Sequence, residues 1–323
     1  EGDEDPCIEI VLDEPHLWSP DDPHLYDLGI SYGDDAVGSY CAFRSFTVEH
    51  VEGAGAGKPV FCCNHKPLFL KGVLDQGYWS DGLLTAPSDE ALLHDIETAR
   101  ELGFNMMRKH LKVEPTRWYY HCDRLGMVVW QDLVNGGAQG YPAFWTSQLP
   151  TLLPGIARHV DDTKKLARFG AEDEQDRELW LAEARATIEC LRNFPCIATW
   201  TIFNEGWGQF DARAVTAMLA ELDDTRPFDA TSGWFDQDVG DYVSEHNYFR
   251  DLRVPKGRDR GDNRARVISE FGGSAFHVEE HSALERAYGY ESHEDAESFA
   301  KAVRCTLAQA DALEAQGLSG YVY

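Results

Sequence analysis

The chain has 323 residues, 43% of them hydrophobic and 26% charged, an ordinary globular composition with room for one barrel-sized domain and part of a second. Asp and Glu outnumber Lys and Arg by 56 to 29, and a net charge of −27 repels phosphate backbones and anionic lipid, which argues against nucleic-acid and membrane partners. No apolar run is long enough to span a membrane, and eight cysteines without a C-x-x-C pair suit a reducing, cytoplasmic setting.

The opening Glu1-Gly2-Asp3-Glu4-Asp5 carries neither an initiator Met nor the apolar core of a leader, so the sequence reads as an internal fragment. Residues 1–50 predict strands at 7–12, 25–32 and 40–48, too few for an independent sandwich. Gly53-Ala54-Gly55-Ala56-Gly57 reads as a linker. A second domain is expected over 58–323, entered by a hairpin turning at Asn64-His65-Lys66 that runs into a strand at 68–73.

Strand and helix then alternate. Ser88 starts a helix with Leu92, Leu93, Ile96, Ala99 and Leu102 on one face, and Gly103 stops it. A strand at 104–108 leads to a helix from Pro115 to Gly126, and a third strand at 127–130 ends at Gln131-Asp132. An excursion over 134–174 offers Tyr141, Phe144 and Trp145 either to wall a binding site or to pack over a rim. The helix at 178–191 precedes a fourth strand, and a helix at 211–222 follows it. Strands five to seven are expected at 227–232, 242–247 and 266–270. A helix at 296–316 closes on Gly317 before an eighth strand, 318–323, in which the chain ends. The alternation predicts an α/β fold, a parallel (β/α)8 TIM barrel.

Two of these strands end on carboxylates. The apolar run from Cys196 to Phe203 empties into Asn204-Glu205-Gly206, and Arg266-Val267-Ile268-Ser269 runs into Glu270-Phe271-Gly272-Gly273. A carboxylate at the end of a buried strand needs a partner or a use. Singly, each Glu is as well read as a capping or ion-paired residue. As a pair, 65 residues apart at the carboxyl ends of barrel strands, they have the arrangement that cleaves a glycosidic bond, one as acid and one as nucleophile or base.

At Phe203-Asn204-Glu205-Gly206, Ile268-Ser269-Glu270-Phe271-Gly272-Gly273, Gly103-Phe104-Asn105-Met106-Met107-Arg108 and Leu17-Trp18-Ser19-Pro20 the chain resembles glycoside hydrolase family 2, the family of β-galactosidases, β-glucuronidases and β-mannosidases. The resemblance covers nearly the whole chain. It implies that residues 1–50 are the latter part of an immunoglobulin-like β-sandwich preceding the catalytic barrel. It also implies Glu205 as acid/base and Glu270 as nucleophile of a retaining enzyme acting on the ends of glycosides, galactosides first.

Further roles follow from the resemblance. Arg108 supports the nucleophile, and Tyr248 donates a hydrogen bond to it. His246 contacts the sugar, with His110 beside Arg108 keeping a sugar-site role, and Asn204 holds the sugar 2-hydroxyl. Trp207, Trp234 and Trp130 are candidate stacking platforms, although a single Trp more often belongs to a core. Asp132 and Gln131 are candidates for substrate hydroxyls, followed by Glu245 and Asp75. An oligosaccharide or glycoside is the expected partner, and family members are often homo-oligomers.

No metal site is expected from the twelve histidines, whose H-x-x-x-H spacing at His277 and His281 lacks the glutamate of an H-E-x-x-H pair, although some family members bind Mg beside the acid/base. The Gly53–Gly57 run lacks the lysine and helix start of a phosphate loop. Outside hydrolysis, the alternative is a catalytically inactive carbohydrate-binding protein or fragment, against which the two intact acids weigh. An endo-acting glycanase of the same clan is disfavoured by the Leu17–Pro20 remnant.

Overall fold

The computed structural model describes residues 8–135, 142–158, 160–257, 261–282, 285 and 288–323. At the N-terminal end, β1 (Tyr26–Tyr32) and β2 (Asp35–Cys41) form an antiparallel hairpin that leaves Ile30, Tyr32 and Val37 exposed. The expected strand at 7–12 is absent over 8–12. That segment finds no neighbouring strand to take its backbone hydrogen bonds, and Ile8, Ile10 and Val11 are exposed. The expected strand at 40–48 is two strands. β2 ends at Cys41, and β3 (Phe46–Glu49) belongs to another sheet, pairing with β4 (Val60–Cys63), which pairs in turn with β5 (Lys66–Pro67).

That small sheet covers the N-terminal end of the barrel and crosses the expected boundary between residues 50 and 58. Asn64 and His65 at φ 52 and 61 make the two-residue turn of the entry hairpin. The Phe61 amide donates to Ser319 Oγ at 2.7 Å, and the Phe46 and Phe61 rings stack. The N-terminal segment is fastened at Asp123, whose carbonyl accepts from the Trp18 indole and whose carboxylate accepts from the Tyr40 hydroxyl and the Cys196 amide.

The barrel follows the expected alternation. After β6 (Leu70–Asp75) come α1 (Asp89–Glu101), β7 (Met106–Lys109), α2 (Thr116–Leu125) and β8 (Val128–Asp132). The excursion after β8 is partly helical, with a π-turn at Phe144–Gln148 and the short helices α3 (Leu149–Leu152), α4 (Pro154–Ala157) and α5 (Leu166–Phe169). Tyr141 lies outside the described residues. Then come α6 (Glu174–Leu191), β9 (Ile197–Asn204), α7 (Ala212–Ala220), β10 (Phe228–Ser232), β11 (Tyr242–Asn247) and β12 (Ala265–Phe271). A short pair, β13 (Ser274–Phe276) and β14 (Glu291–His293), precedes α8 (Ala296–Ala312) and β15 (Leu318–Val322).

Local chemistry sets these bounds. The side chains of Ser88, Asp173, Asp211 and Asp295 cap α1, α6, α7 and α8, and Gly126 and Gly317 take the left-handed conformation that ends a helix. On α1, Leu92, Ile96 and Ala99 are buried as spaced, whereas Leu102 stands exposed at the C-cap.

The eight strands run in the order β10-β9-β8-β7-β6-β15-β12-β11, all neighbours parallel. β15 pairs on both sides, where Gly320 opposes Leu70 so closely that a Cβ would lie 2.6 Å from the leucine's. Between β10 and β11 the barrel closes through other bonds. Asp241 and Phe228 exchange two hydrogen bonds, and the Ser244 hydroxyl donates to Asp229.

Candidate active site

Glu205 follows the last residue of β9, and Glu270 is the penultimate residue of β12, so both occupy the carboxyl end of the barrel. Glu205 holds φ 52, a conformation that non-glycine residues avoid and functional sites tolerate. It is fixed there by its amide donating to the Ser232 carbonyl and by Gly206, which packs against Phe235 and Phe169. One donor atom each from Glu205, His246 and Glu270 lie within 4.8 Å of one another.

Arg108 organises the floor. Completely buried, it donates through Nε and Nη2 to Asp132, through Nη1 to Glu270 Oε1 at 2.9 Å and to the Ser269 carbonyl, and through Nη2 to Asn204 Oδ1 at 2.8 Å. This fork fixes the Glu270 carboxylate as a planar guanidinium can and an ammonium cannot. The second oxygen of Glu270 accepts from the Tyr248 hydroxyl.

Glu205 receives nothing comparable. Its partner is His246, whose Nδ1 lies 2.8 Å from Oε1, while Nε2 lies 3.1 Å from Ser232 Oγ and 3.5 Å from Glu270 Oε1. Burial pushes the Glu205 carboxyl up to about 7, opposed by the charges of His110 and Arg108. Burial pushes the His246 imidazole down to about 4, so it is neutral. One carboxyl is therefore held by a cation and a phenol, and the other keeps a proton near neutrality.

The remaining expected residues fall into three groups. Trp234 lines the cavity over the pair, its indole donating to the His246 carbonyl. Asn204 turns Oδ1 to Arg108 and leaves its buried Nδ2 without a partner, a donor available to a ligand. His110 and Asp132, expected against substrate, are bonded inward. His110 Nδ1 lies 2.7 Å from Asp132 Oδ2, and Arg108 occupies both Asp132 oxygens. Burial of Asp132 is outweighed by the charges and hydrogen bonds of Arg108 and His110 together, and its carboxyl is held low.

Gln131 is bonded to Tyr119 and the Lys112 carbonyl, Asp75 pairs with Lys109, and Glu245 faces Arg253 at 3.8 Å. Trp130 is core, packed on Tyr242. Trp207 follows Glu205 in the turn that returns its amide to the Asn204 carbonyl and is not among the residues that line the cavity.

The cavity, about 390 Å³, also takes residues that the sequence did not single out. Ser147, Gln148 and Thr151 come from the excursion, Phe249 and Arg250 follow β11, and Tyr290 stacks on Tyr248 at 4.1 Å. Gly272-Gly273 is explained by two rings. A Cβ at Gly272 would meet Tyr323 at 2.3 Å, and one at Gly273 would meet Tyr290 at 2.5 Å. Tyr290 sits in an aperiodic segment whose one signal was the paired glycine opposite it.

The Glu205, His246 and Glu270 grouping does not suit magnesium, which takes oxygen donors. One of the three is an imidazole, and Glu270 already faces Arg108 and Tyr248. Among the described residues, no helix is long and apolar enough to cross a membrane.

Known proteins share this architecture. The family model described as "Glycosyl hydrolases family 2, TIM barrel domain" matches residues 57–261, and "Glycosyl hydrolases family 2" matches residues 1–43. A putative β-glucuronidase of Formosa agariphila is 25% identical over 71% of this chain and 19% of its own length. A β-galactosidase of Leuconostoc mesenteroides is 22% identical over 73% of this chain and 20% of its own length. The chain thus spans about a fifth of the length of these two relatives.

Among solved structures, a GH2 β-galacturonidase from Eisenbergiella tayi bound to glycerol superposes with a TM-score of 0.67 at 17% identity, covering 98% of this chain and 53% of that one. The β-glucuronidase of Parabacteroides merdae superposes with a TM-score of 0.63 at 18% identity, covering 96% of this chain and 38% of that one, and at such identities the likeness is one of fold. With a barrel-domain match over well more than half of its residues, the chain belongs to glycosyl hydrolases family 2.

Proposed function

We propose that this chain carries the catalytic centre of a retaining exo-β-glycosidase, with Glu270 as nucleophile and Glu205 as general acid and then base. The observation that carries this reading is the approach of the Glu205 and Glu270 oxygens to within 4.8 Å. Direct attack on an anomeric carbon needs carboxyls about 5 to 5.5 Å apart, whereas a water-mediated inverting site needs roughly 6.5 to 9.5 Å.

In the first step ionised Glu270, aligned by Arg108 and Tyr248, bonds to the anomeric carbon as the leaving-group oxygen takes the Glu205 proton. In the second, Glu205 takes a proton from water, whose oxygen displaces Glu270 from the sugar. The unpartnered Asn204 Nδ2 supplies a hydrogen bond to a sugar hydroxyl, and Trp234 supplies an apolar wall.

The first substrate to test is a terminal β-galactoside, with β-mannosides after it. One observation favours a second reading, an acidic sugar. Arg250 lines the cavity, donates to the Thr151 carbonyl and, among the described residues, has no carboxylate within ion-pair distance. A guanidinium so placed pairs with a carboxylate on a uronic acid.

The test is hydrolysis of nitrophenyl β-galactoside, β-glucuronide, β-galacturonide, β-mannoside and β-glucoside by the full-length parent protein, with the anomeric product followed by proton NMR. The reading requires retention of configuration and loss of turnover in Glu270→Gln. Inversion, or turnover that survives Glu270→Gln, would refute it. Binding of sugars without turnover would favour the inactive carbohydrate-binding alternative.

A further inference from the structure

The strands β10, ending at Ser232, and β11, carrying His246, stand at the two ends of the strand order, and among the described residues no ladder joins them. The bonds across this seam from Phe228 to Asp241 and from Asp229 to Ser244 lie toward its amino end. At the carboxyl end, beside Glu205, three consecutive residues make the connection. Ser232 Oγ lies 3.1 Å from His246 Nε2, and the Trp234 indole donates to the His246 carbonyl at 3.3 Å. Gly233, between them, leaves room for the imidazole: at its φ of 110 a Cβ would lie 3.2 Å from Nδ1.

The seam separates the acid/base from its partner. Glu205 follows β9, which pairs with β10 so that Asn204 lies opposite Ser232, whereas His246 belongs to β11. Nδ1 of that histidine lies 2.8 Å from Glu205 Oε1, across a junction where ladder bonds would ordinarily fix one strand against the next. Ser232 grips both parties. Its carbonyl accepts the Glu205 amide at 2.9 Å, at the residue held at φ 52, and its hydroxyl holds the imidazole. The His246 side chain is fully buried and Ser232 is 1% exposed, so bulk water does not reach this bond. A neutral imidazole has one donor and one acceptor nitrogen, and a hydroxyl can complement either, so the bond persists in both tautomers.

We propose that Ser232 is a positioning residue for the acid/base: its hydroxyl stitches β10 to β11 at the mouth of the barrel and orients His246 so that Nδ1 stays on the Glu205 carboxyl. This rests on the glycosidase reading for its catalytic consequence but not for the stitch itself. Without the hydroxyl, Nε2 keeps Glu270 Oε1 as a neighbour at 3.5 Å, and the ring turns toward it and draws Nδ1 off Glu205. A carboxyl that gives a proton in one step and takes one in the next then works from a looser position in both.

The kinetic test uses the full-length parent protein and Ser232→Ala, which removes one hydroxyl and keeps the carbonyl bonded to Glu205. Two substrates of one sugar are compared, beginning with β-galactosides: a methyl glycoside, whose leaving oxygen needs a proton, and a dinitrophenyl glycoside, whose leaving group departs as an anion. The substitution should lower kcat/KM by about 10-fold on the methyl glycoside and by about 2-fold or less on the dinitrophenyl glycoside. An equal loss on both would mean that Ser232 acts on the fold or on the nucleophile, and would overturn the proposal.

A second readout needs no turnover. With 15N-labelled histidine, both nitrogens of His246 should carry hydrogen-bonded shifts in the wild type, with its signals identified by their loss in His246→Asn. In Ser232→Ala the Nε2 signal should move by several ppm. A wild-type Nε2 without a hydrogen bond, or a signal unmoved by the substitution, would overturn the stitch even in an active glycosidase. If no glycoside is hydrolysed but the signal moves, the stitch stands and only the glycosidase reading fails.

Discussion

Glu205→Gln is expected to make the protein more stable at alkaline pH while abolishing its acid catalysis. Burial raises the Glu205 carboxyl from its ordinary 4.5 to about 7 in the folded chain. Each pH unit of that gap corresponds to about 1.4 kcal/mol, so ionised Glu205 costs the fold about 3 kcal/mol. The side chain is 13% exposed, too little for solvent to screen much of that away. The sign follows from the raised folded value. Below pH 4.5 both states carry the proton and nothing is lost, the cost grows between 4.5 and 7, and above 7 it is complete. Gln carries no charge at any pH and still donates to His246 Nδ1. Denaturant unfolding at pH 4.5 and pH 8 should show nearly equal stabilities at the first and Glu205→Gln ahead by about 3 kcal/mol at the second. A difference that does not change with pH would refute the account of Glu205 as a buried, proton-retaining acid.

Arg108→Lys keeps the charge but offers three donors where five N–H groups are used, leaving at least two buried acceptors bare. Unfolding should show a loss of about 3 kcal/mol or more, with kcat falling as Glu270 loses its alignment. Tyr248→Phe removes the phenol from Glu270 and keeps the ring on Tyr290, so steady-state kinetics should show kcat down by about 10- to 100-fold with little change in stability. Gly273→Ala places a Cβ against Tyr290 at φ 78. It should raise KM by displacing that ring and cost roughly 1 kcal/mol of backbone strain in denaturant titrations.

The barrel was legible because its signals are local. Buried runs such as Ile197–Asn204 are strands by length and branching, and caps such as Ser88 and Asp295 and stops such as Gly126 and Gly317 mark helix ends within a residue or two. The N-terminal strands were less legible because pairing is not local. Residues 40–48 alternate like one strand, yet Cys41 and Phe46 belong to different sheets, a division made by the partners β1 and β4. In the site, Glu205 and Glu270 announced themselves as charges ending apolar strands. Asp132 shows the limit in the other direction. Its position at a strand end pointed to substrate, while its two oxygens are committed to Arg108 and His110.

The different parts assigned to the two glutamates follow from how one arginine distributes its donors. Glu205 and Glu270 are close enough that both cannot ionise cheaply, and each has barrel wall around it. Arg108 lies near both, and its charge lowers the Glu205 carboxyl as well. Charge at a distance is not a hydrogen bond, however, and every N–H of Arg108 points to Asp132, Asn204, Ser269 or Glu270. Tyr248 adds its hydroxyl to the same side. Glu205 is left with a neutral imidazole that accepts a proton bond more readily than it stabilises an anion. The pair is therefore asymmetric before any sugar arrives: the carboxyl that receives donors suits the proposed nucleophile, and the one facing an acceptor suits the proposed acid.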